Sequence, residues 1–261
     1  MKNCIRLGLL CACALSAETN YSGVWKANLD ASKLGAGPKP ANYMVTIQQE
    51  GSKITELIGA WDQRGNERRS TLIFNTAADA KPSINSLRGL PMRTKPSWDG
   101  ANLVLDSAVA GLRPMKIKET WSLSADGETL TLSAINTINN QNMNTAMVLL
   151  KQPDSAGEPL RQPEQKAGER FKNVKVLKDV PASQFLDAMS SFSMAMGKNC
   201  EFCHVQGKMD VDEKKEKNTA RKMIEMTHNI NAQNFDGKME VRCYTCHKGM
   251  SHPAGRPEFP E

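Results

Sequence analysis

The sequence predicts a two-part chain, an antiparallel all-β barrel or sandwich followed by a mostly α-helical domain. Three observations separate the parts. Residues 18–151 alternate short apolar runs with turn signals, and residues 152–170 carry Pro153, Pro159 and Pro163 with no apolar period. From 171 to 261 the period becomes helical, methionines gather and two Cys-x-x-Cys-His motifs appear. At 261 residues the chain can bury one large core or two modest ones, and 39% hydrophobic with 24% charged residues fits a folded protein. The formal charge of +6 is spread through mixed Lys, Arg, Asp and Glu. That scatter offers no basic patch, so nucleic acid is not expected as a partner.

The first seventeen residues, "MKNCIRLGLLCACALSA", place Lys2 and Arg6 before an apolar run from Leu7 to Leu15 and then small residues. The run is too short to span a bilayer and reads as a secretory signal over 1–17. "LCAC" ends in Cys13 after a small residue, a pattern that resembles a bacterial lipoprotein signal. The expected location is therefore the periplasm or the outer face of the membrane, either free after cleavage near Ala17 or lipid-anchored at Cys13. Of seven cysteines, Cys4, Cys11 and Cys13 lie in this segment, and the other four all lie in the two motifs. An exported chain normally spends cysteines on structural disulfides. This one keeps none for that purpose.

Within 18–151, "YMVTIQQEGSKITELIGAW" gives two β-rich runs that turn at Glu50-Gly51-Ser52, and "WDQRGNERRSTLIF" turns at Arg64-Gly65-Asn66. Asp99-Gly100 and Asp126-Gly127 are hairpin signals. Roughly eight short strands follow from this spacing, the pattern of an antiparallel barrel or sandwich. The opening "SGVWKANL" puts Gly23 and Trp25 at the start of the first strand. This Gly-x-Trp resembles the lipocalin-like barrels, and Trp25 is equally well read as a core residue. The stretch 152–170 reads as an extended linker. Beyond it, Val180, Phe185, Met189, Phe192 and Met196 fall on one helical face, with Pro181 near the start and Gly197 at the end. A second helix is expected through "EKKEKNTARKMIEMTHNINAQNF", with Ala220, Met223, Thr227 and Ile230 as its inner stripe.

The motifs are Cys200-x-x-Cys203-His204 and Cys243-x-x-Cys246-His247. A zinc site built from the four thiols would leave each following histidine without a role, and a thioredoxin-type pair needs no histidine either. Covalent haem attachment uses all three residues. Two thiols at this spacing add across the two porphyrin vinyl groups, and the adjacent histidine supplies the proximal imidazole. The expected cofactors are thus two covalently attached haem c groups, and the second domain is a dihaem cytochrome c domain organised around them.

The residues from "NVKVLKDVPASQFLDAM" to "GKNCEFCH", and from "TARKMIEMTHNIN" to "RCYTCHKG", are similar to the cytochrome c subunit of photosynthetic reaction centres. The resemblance covers about residues 170–252, and corresponds to one two-haem half of a four-haem subunit. It implies a repeated helix–turn–CxxCH unit in which a methionine on the helix is the distal iron ligand. Carried over, Met189 falls at the position that ligates the first haem and Met223 at the one that ligates the second. Met189 also lies on the apolar helix face, eleven residues before Cys200. Met226 and His228 compete with Met223 for the second position, and His228 would give bis-His ligation. His252 reads as a loop residue.

Together these features predict an exported dihaem c-type cytochrome that transfers single electrons between periplasmic or membrane-bound redox partners. The expected partners are a redox donor and acceptor, with association to a membrane complex through the lipid anchor or the β domain. Two other readings use the same motifs: a dihaem peroxidase-type enzyme, which needs an open iron position, and a haem-based sensor that uses the β domain as receptor. Methionine-bearing helices ahead of both motifs favour electron transfer over the enzyme, because two protein ligands leave no site for substrate.

Overall fold

A computed structural model of the protein describes residues 18–35, 38–110 and 114–253. The expected signal and Cys13 lie outside these residues. Ten strands form the first domain: β1 (Gly23–Ala27), β2 (Asn42–Glu50), β3 (Lys53–Trp61), β4 (Glu67–Asn75) and β5 (Ser83–Leu87), then β6 (Leu90–Asp99), β7 (Asn102–Val109), β8 (Met115–Leu123), β9 (Thr129–Ile138) and β10 (Gln141–Gln152). They make one antiparallel sheet in the order β4-β3-β2-β1-β10-β9-β8-β7-β6-β5. Every pair is sequential except β1 with β10, so the sheet is a meander that curls until its first and last strands meet.

The remaining edges, β4 and β5, face each other without a backbone ladder. The Asn85 amide takes its place, donating to the Ile73 carbonyl at 3.0 Å and accepting from the Ile73 N–H at 2.8 Å. The architecture is a near-closed barrel rather than a sandwich. Ten strands replace the expected eight because β5 and β6 turn at Arg88-Gly89, and β5 carries no apolar alternation; Ile84 is 69% exposed.

Inward positions alternate along each strand, as the pleat requires. Val45 and Ile47 on β2, Ile54 on β3, Leu72 and Phe74 on β4, and Leu103 and Leu105 on β7 form one buried cluster with Trp25 and Trp121. Tyr21 knits its floor. Its hydroxyl donates to the Trp121 carbonyl at 2.9 Å and accepts from the Leu103 N–H at 3.2 Å, while its ring meets Trp121 edge-on at 5.5 Å. The Trp25 indole N–H donates to the Tyr21 carbonyl at 3.1 Å. Trp25 is therefore a core residue with a satisfied donor.

Residues 152–170 are not an extended linker. They fold into a 3₁₀ turn (Asp154–Gly157) and the short helices α1 (Glu158–Arg161) and α2 (Ala167–Arg170), which lie on the barrel wall. Leu160 is buried under Gly59, where even a Cβ would come within 2.4 Å of the leucine methyl. Arg69 of β4 donates to the Gln162 carbonyl at 2.6 Å and the Pro159 carbonyl at 2.9 Å. Burial here falls on isolated residues such as Leu160 and Ala167, so no period marks it in the sequence.

The second domain contains α3 (Ala182–Met196), α4 (Lys215–Asn234) and α5 (Cys243–His247), with a 3₁₀ turn at Cys200–Phe202. Pro181 stands at the N-cap of α3, and Gly197 ends the helix in the left-handed region with φ +61°. α3 packs on the barrel through Ser191, whose hydroxyl donates to the Gly89 carbonyl at 2.7 Å. Among the described residues no helix is long and apolar enough to cross a membrane.

Candidate haem sites

Both motifs sit where a helix end turns the chain. At the first, the Cys200–Phe202 turn closes with the His204 N–H on the Cys200 carbonyl at 3.0 Å, so cysteines and histidine wrap one short arc. At the second, Cys243, Cys246 and His247 share the single helix α5, and Lys248 stops it in the left-handed region at φ +48°.

A cleft of about 730 Å³ opens at the first motif, within the size range of cofactor sites. Its lining includes Cys200, Cys203 and His204 on one side of the chain path and Phe185, Met189 and Phe192 of α3. A second cleft, of about 1300 Å³, is lined by Cys243 and His247 together with Met223 of α4. Phe192, Met196, Cys203, Ala220 and Ile224 line both clefts, so the two share a wall. Of the residues expected as ligands, Met189 joins the first histidine and Met223 joins the second. Met226 and His228 line neither cleft, while His252 lines the second.

The histidines are held in one tautomer. His204 Nδ1 lies 2.8 Å from the Met209 carbonyl and His247 Nδ1 lies 3.0 Å from the Met250 carbonyl. A carbonyl oxygen only accepts, so each Nδ1 carries a proton, which leaves Nε2 as the ring nitrogen available to a metal. Orientation of this kind through the second ring nitrogen is how a ligating imidazole is usually fixed. The four thiols are free, and burial pushes those of Cys203 and Cys243 above the ordinary range. Among the described residues no three Cys, His, Asp or Glu side chains gather to hold a metal ion. The two cysteine pairs thus do not converge as a zinc site requires. Apolar walls, paired thiols and an available Nε2 fit a porphyrin.

Two polar residues on α4 escaped sequence reasoning. The expected stripe ran through Ala220, Met223, Thr227 and Ile230, yet the buried residues are Lys217 and Asn231, and Met223 is 37% exposed. Lys217 donates to the Met209 and Val211 carbonyls, both at 2.9 Å, and so ties down the loop whose carbonyl orients His204. The Asn231 amide accepts from the Val241 N–H at 2.9 Å and donates to the Val241 carbonyl at 2.7 Å, pinning the approach to the second motif. Only the acceptors' positions in space reveal these roles, and they leave no spacing signal.

Beside the first cleft, Asp212 receives Lys175 at 2.7 Å, Arg221 at 2.9 Å, Lys217 at 3.3 Å and the Asn173 amide at 2.9 Å. Hydrogen bonds from Arg221 and Lys175 hold its carboxyl well below the usual carboxylate range.

A model of the family described as "Photosynthetic reaction centre cytochrome C subunit" matches residues 122–256, just over half of the chain. The chain belongs to this family. Relatives in this reaction-centre cytochrome family include the subunit of Roseobacter denitrificans, 35% identical over 102 residues that cover 35% of this chain and 27% of that protein. The subunit of Rubrivivax gelatinosus is 35% identical over 92 residues, covering 34% and 25%. The chain thus spans about a quarter of the length of the curated relatives it matches. Membership makes it a c-type cytochrome with covalently bound haem c.

Two solved structures align with the barrel. Apo Caenorhabditis elegans lipid binding protein 8 is 11% identical, with a TM-score of 0.39 over 52% of this chain and 100% of that one. Zebrafish ileal bile acid-binding protein complexed with cholic acid is 14% identical, with a TM-score of 0.35 over 51% and 98%. Likeness at this level is weak, and the barrel stands on its own strand order.

Proposed function

We propose that this cytochrome is an exported dihaem electron carrier that passes single electrons between a redox donor and acceptor at the outer side of the cytoplasmic membrane. The observation that carries the reading is the pair of adjoining clefts, each lined by one motif's histidine and by helix methionines, Met189 in the first, Met223 in the second and Met196 in both. Covalently held haem supplies one-electron iron chemistry when bound. The chain's own residues do the rest. Cys200 and Cys203, and Cys243 and Cys246, anchor two porphyrins by thioether bonds. His204 and His247 would hold the irons through Nε2, Met189 and Met223 would hold them through sulfur, and Phe185, Phe192 and Ile224 would exclude water. His/Met ligation would raise the potential over bis-His ligation. The wall that the two clefts share supports electron exchange between the two centres within the chain. Docking to a membrane complex, through a lipidated Cys13 or the barrel, places the carrier beside its partners.

The test is optical. A pyridine haemochrome assay is expected to give two haems per chain, and the oxidised protein to show the near-infrared sulfur-to-iron band of methionine ligation. Fewer than two haems, or no such band, refutes the assignment. Sustained turnover of hydrogen peroxide with a reduced donor would replace the carrier with a peroxidase.

A further inference from the structure

The outer wall of the barrel gathers basic side chains that are scattered along the sequence. Met92 and Thr94 of β6 are buried in the barrel, so Arg93 and Lys95 stand outward. Ile117 of β8 packs against the core, so Lys116 and Lys118 on either side of it stand outward too. Between these strands β7 faces out with Asp106 and Ala108. The register sets the side chains in two rows. Arg93 lies opposite Ala108 and Ala108 opposite Lys116, while Lys95 lies opposite Asp106 and Asp106 opposite Lys118. All four cations are exposed.

Strand spacing and rise put the four backbone positions within about 10 Å by 7 Å, close to one Debye length, so they act on a charged surface as one positive field. Asp106 is the single acid in the two rows, and Asp99 stands at the far end of β6. Among the described residues none of the five belongs to an ion pair. Exposed apolar side chains bracket the patch. Ile84 of β5, 69% exposed, lies opposite Arg93, and Ile135 of β9, 44% exposed, lies opposite Lys118. Protein interfaces favour aromatic side chains, Met and Arg over Lys. Here three of the four cations are lysines, and neither row holds an aromatic residue or a methionine. Long cationic stems beside aliphatic side chains instead suit the headgroup boundary of an anionic bilayer.

We propose that the β6–β8 face docks on an anionic lipid surface. Arg93, Lys95, Lys116 and Lys118 meet the headgroup phosphates, and Ile84 and Ile135 reach the edge of the acyl region. Each cation near such a leaflet strengthens binding about fivefold, so four cations against one acid are worth about a hundredfold. The proposal adds a contact to the location at the outer side of the membrane proposed above, and rests on that location for its lipid.

Vesicle co-sedimentation tests it, with the haem-loaded full chain carrying Cys13→Ser so that no acyl anchor contributes. Vesicles with about 30% phosphatidylglycerol are expected to bind at least tenfold more tightly than phosphatidylcholine ones, and about 0.5 M salt to erase the difference. Arg93→Gln, Lys95→Gln, Lys116→Gln and Lys118→Gln combined are expected to weaken anionic binding at least tenfold. Lys26→Gln, Lys53→Gln, Lys81→Gln and Lys172→Gln combined remove the same charge from exposed positions elsewhere and are expected to cost less than threefold. Equal binding to the two vesicles overturns the proposal, as does a control set that weakens binding as much as the patch set. Retention on immobilised poly-glutamate with no preference for anionic vesicles also overturns it, and assigns the face to an acidic protein. The comparison of vesicles needs no patch variant, so misfolding of one does not rescue the proposal. Since no electron transfer is read, it can fail while the carrier reading stands.

Discussion

Gly197→Ala tests how tightly the two motif-bearing units are joined. Gly197 caps α3 at φ +61°, and a Cβ built there falls 2.1 Å from the Gly249 carbonyl oxygen, immediately after the second motif. The Gly249 N–H in turn donates to the Ala195 carbonyl at 2.8 Å. Two costs follow. A left-handed alanine costs about 1 kcal/mol, and forcing backbone apart in a packed contact adds about 1–3 kcal/mol. Their sum of about 2–4 kcal/mol corresponds to a fall in Tm on the order of 10–20 °C for a domain of this size. Gly207→Ala separates the contributions, since Gly207 has φ +74° with nothing within 4 Å of its Cβ. That variant is expected to lose only the backbone part, about 1 kcal/mol. Thermal melts of the haem-loaded protein followed at the Soret band measure both. Equal losses at the two positions would show that α3 does not bear on the loop after the second motif.

Met189→Leu is expected to abolish half of the near-infrared sulfur-to-iron band and open one haem to carbon monoxide, with Met223→Leu doing the same at the other. A variant that leaves the band intact identifies a different ligand. Burial, then the neighbouring Glu119, raises the Glu56 carboxyl well above its ordinary 4.5. A raised folded-state value favours the folded protein below the unfolded value, and that stability drains away as pH climbs through the raised one. Glu56→Gln is therefore expected to stabilise the barrel by about 1–3 kcal/mol above neutrality and to flatten the pH dependence of urea unfolding, whereas an unchanged slope would refute it. Asp212 runs the other way. Its carboxyl is lowered from 3.8 by Arg221 and Lys175, so its stabilisation is present above 3.8 and lost on further acidification. Asp212→Asn is expected to remove that acid-limb dependence in unfolding measured between about pH 4 and pH 2, and an unaltered limb would show that the network contributes nothing.

What was legible in the sequence was whatever carries a period or a fixed spacing. The α3 face of Phe185, Met189, Phe192 and Met196, its Pro181 start and its Gly197 stop all appear in the structure. The hairpins at Asp99-Gly100 and Asp126-Gly127 are there too, with left-handed glycines at φ +59° and +73°. Barrel closure was not legible, because pairing β1 with β10 is a contact between strands more than a hundred residues apart. The same holds for the polar residues that orient the site. Lys217 and Asn231 satisfy backbone groups of distant loops, and a lysine or asparagine on a helix otherwise reads as solvated surface. Glu56 was hidden because a single acid inside "KITELIGAW" looks like a solvent-facing residue until alternation from Ile54 and Ile58 turns it inward.

The two halves of the chain meet on one helix, and its geometry limits how they act together. At 3.6 residues per turn, Phe185, Met189, Phe192 and Met196 line the first cleft, while Asp187 and Ser191 point the opposite way, onto the β5–β6 turn. Gly89 in that turn has φ +80°, and a Cβ on it would lie 2.2 Å from the Asp187 carbonyl. Backbone meets backbone at this seam, with the Ser191 hydroxyl bonded beside it. A shift of the β5–β6 turn must therefore move α3 as a body, and Met189 with it, because a packed helix transmits displacement rather than absorbing it. The connecting segment reinforces this, since Arg170 donates to the Glu67 carbonyl at 2.9 Å and Arg69 clasps 159–162 from the other side. The barrel is thus built as a rigid mount for the methionine-bearing helix, not as a tethered neighbour.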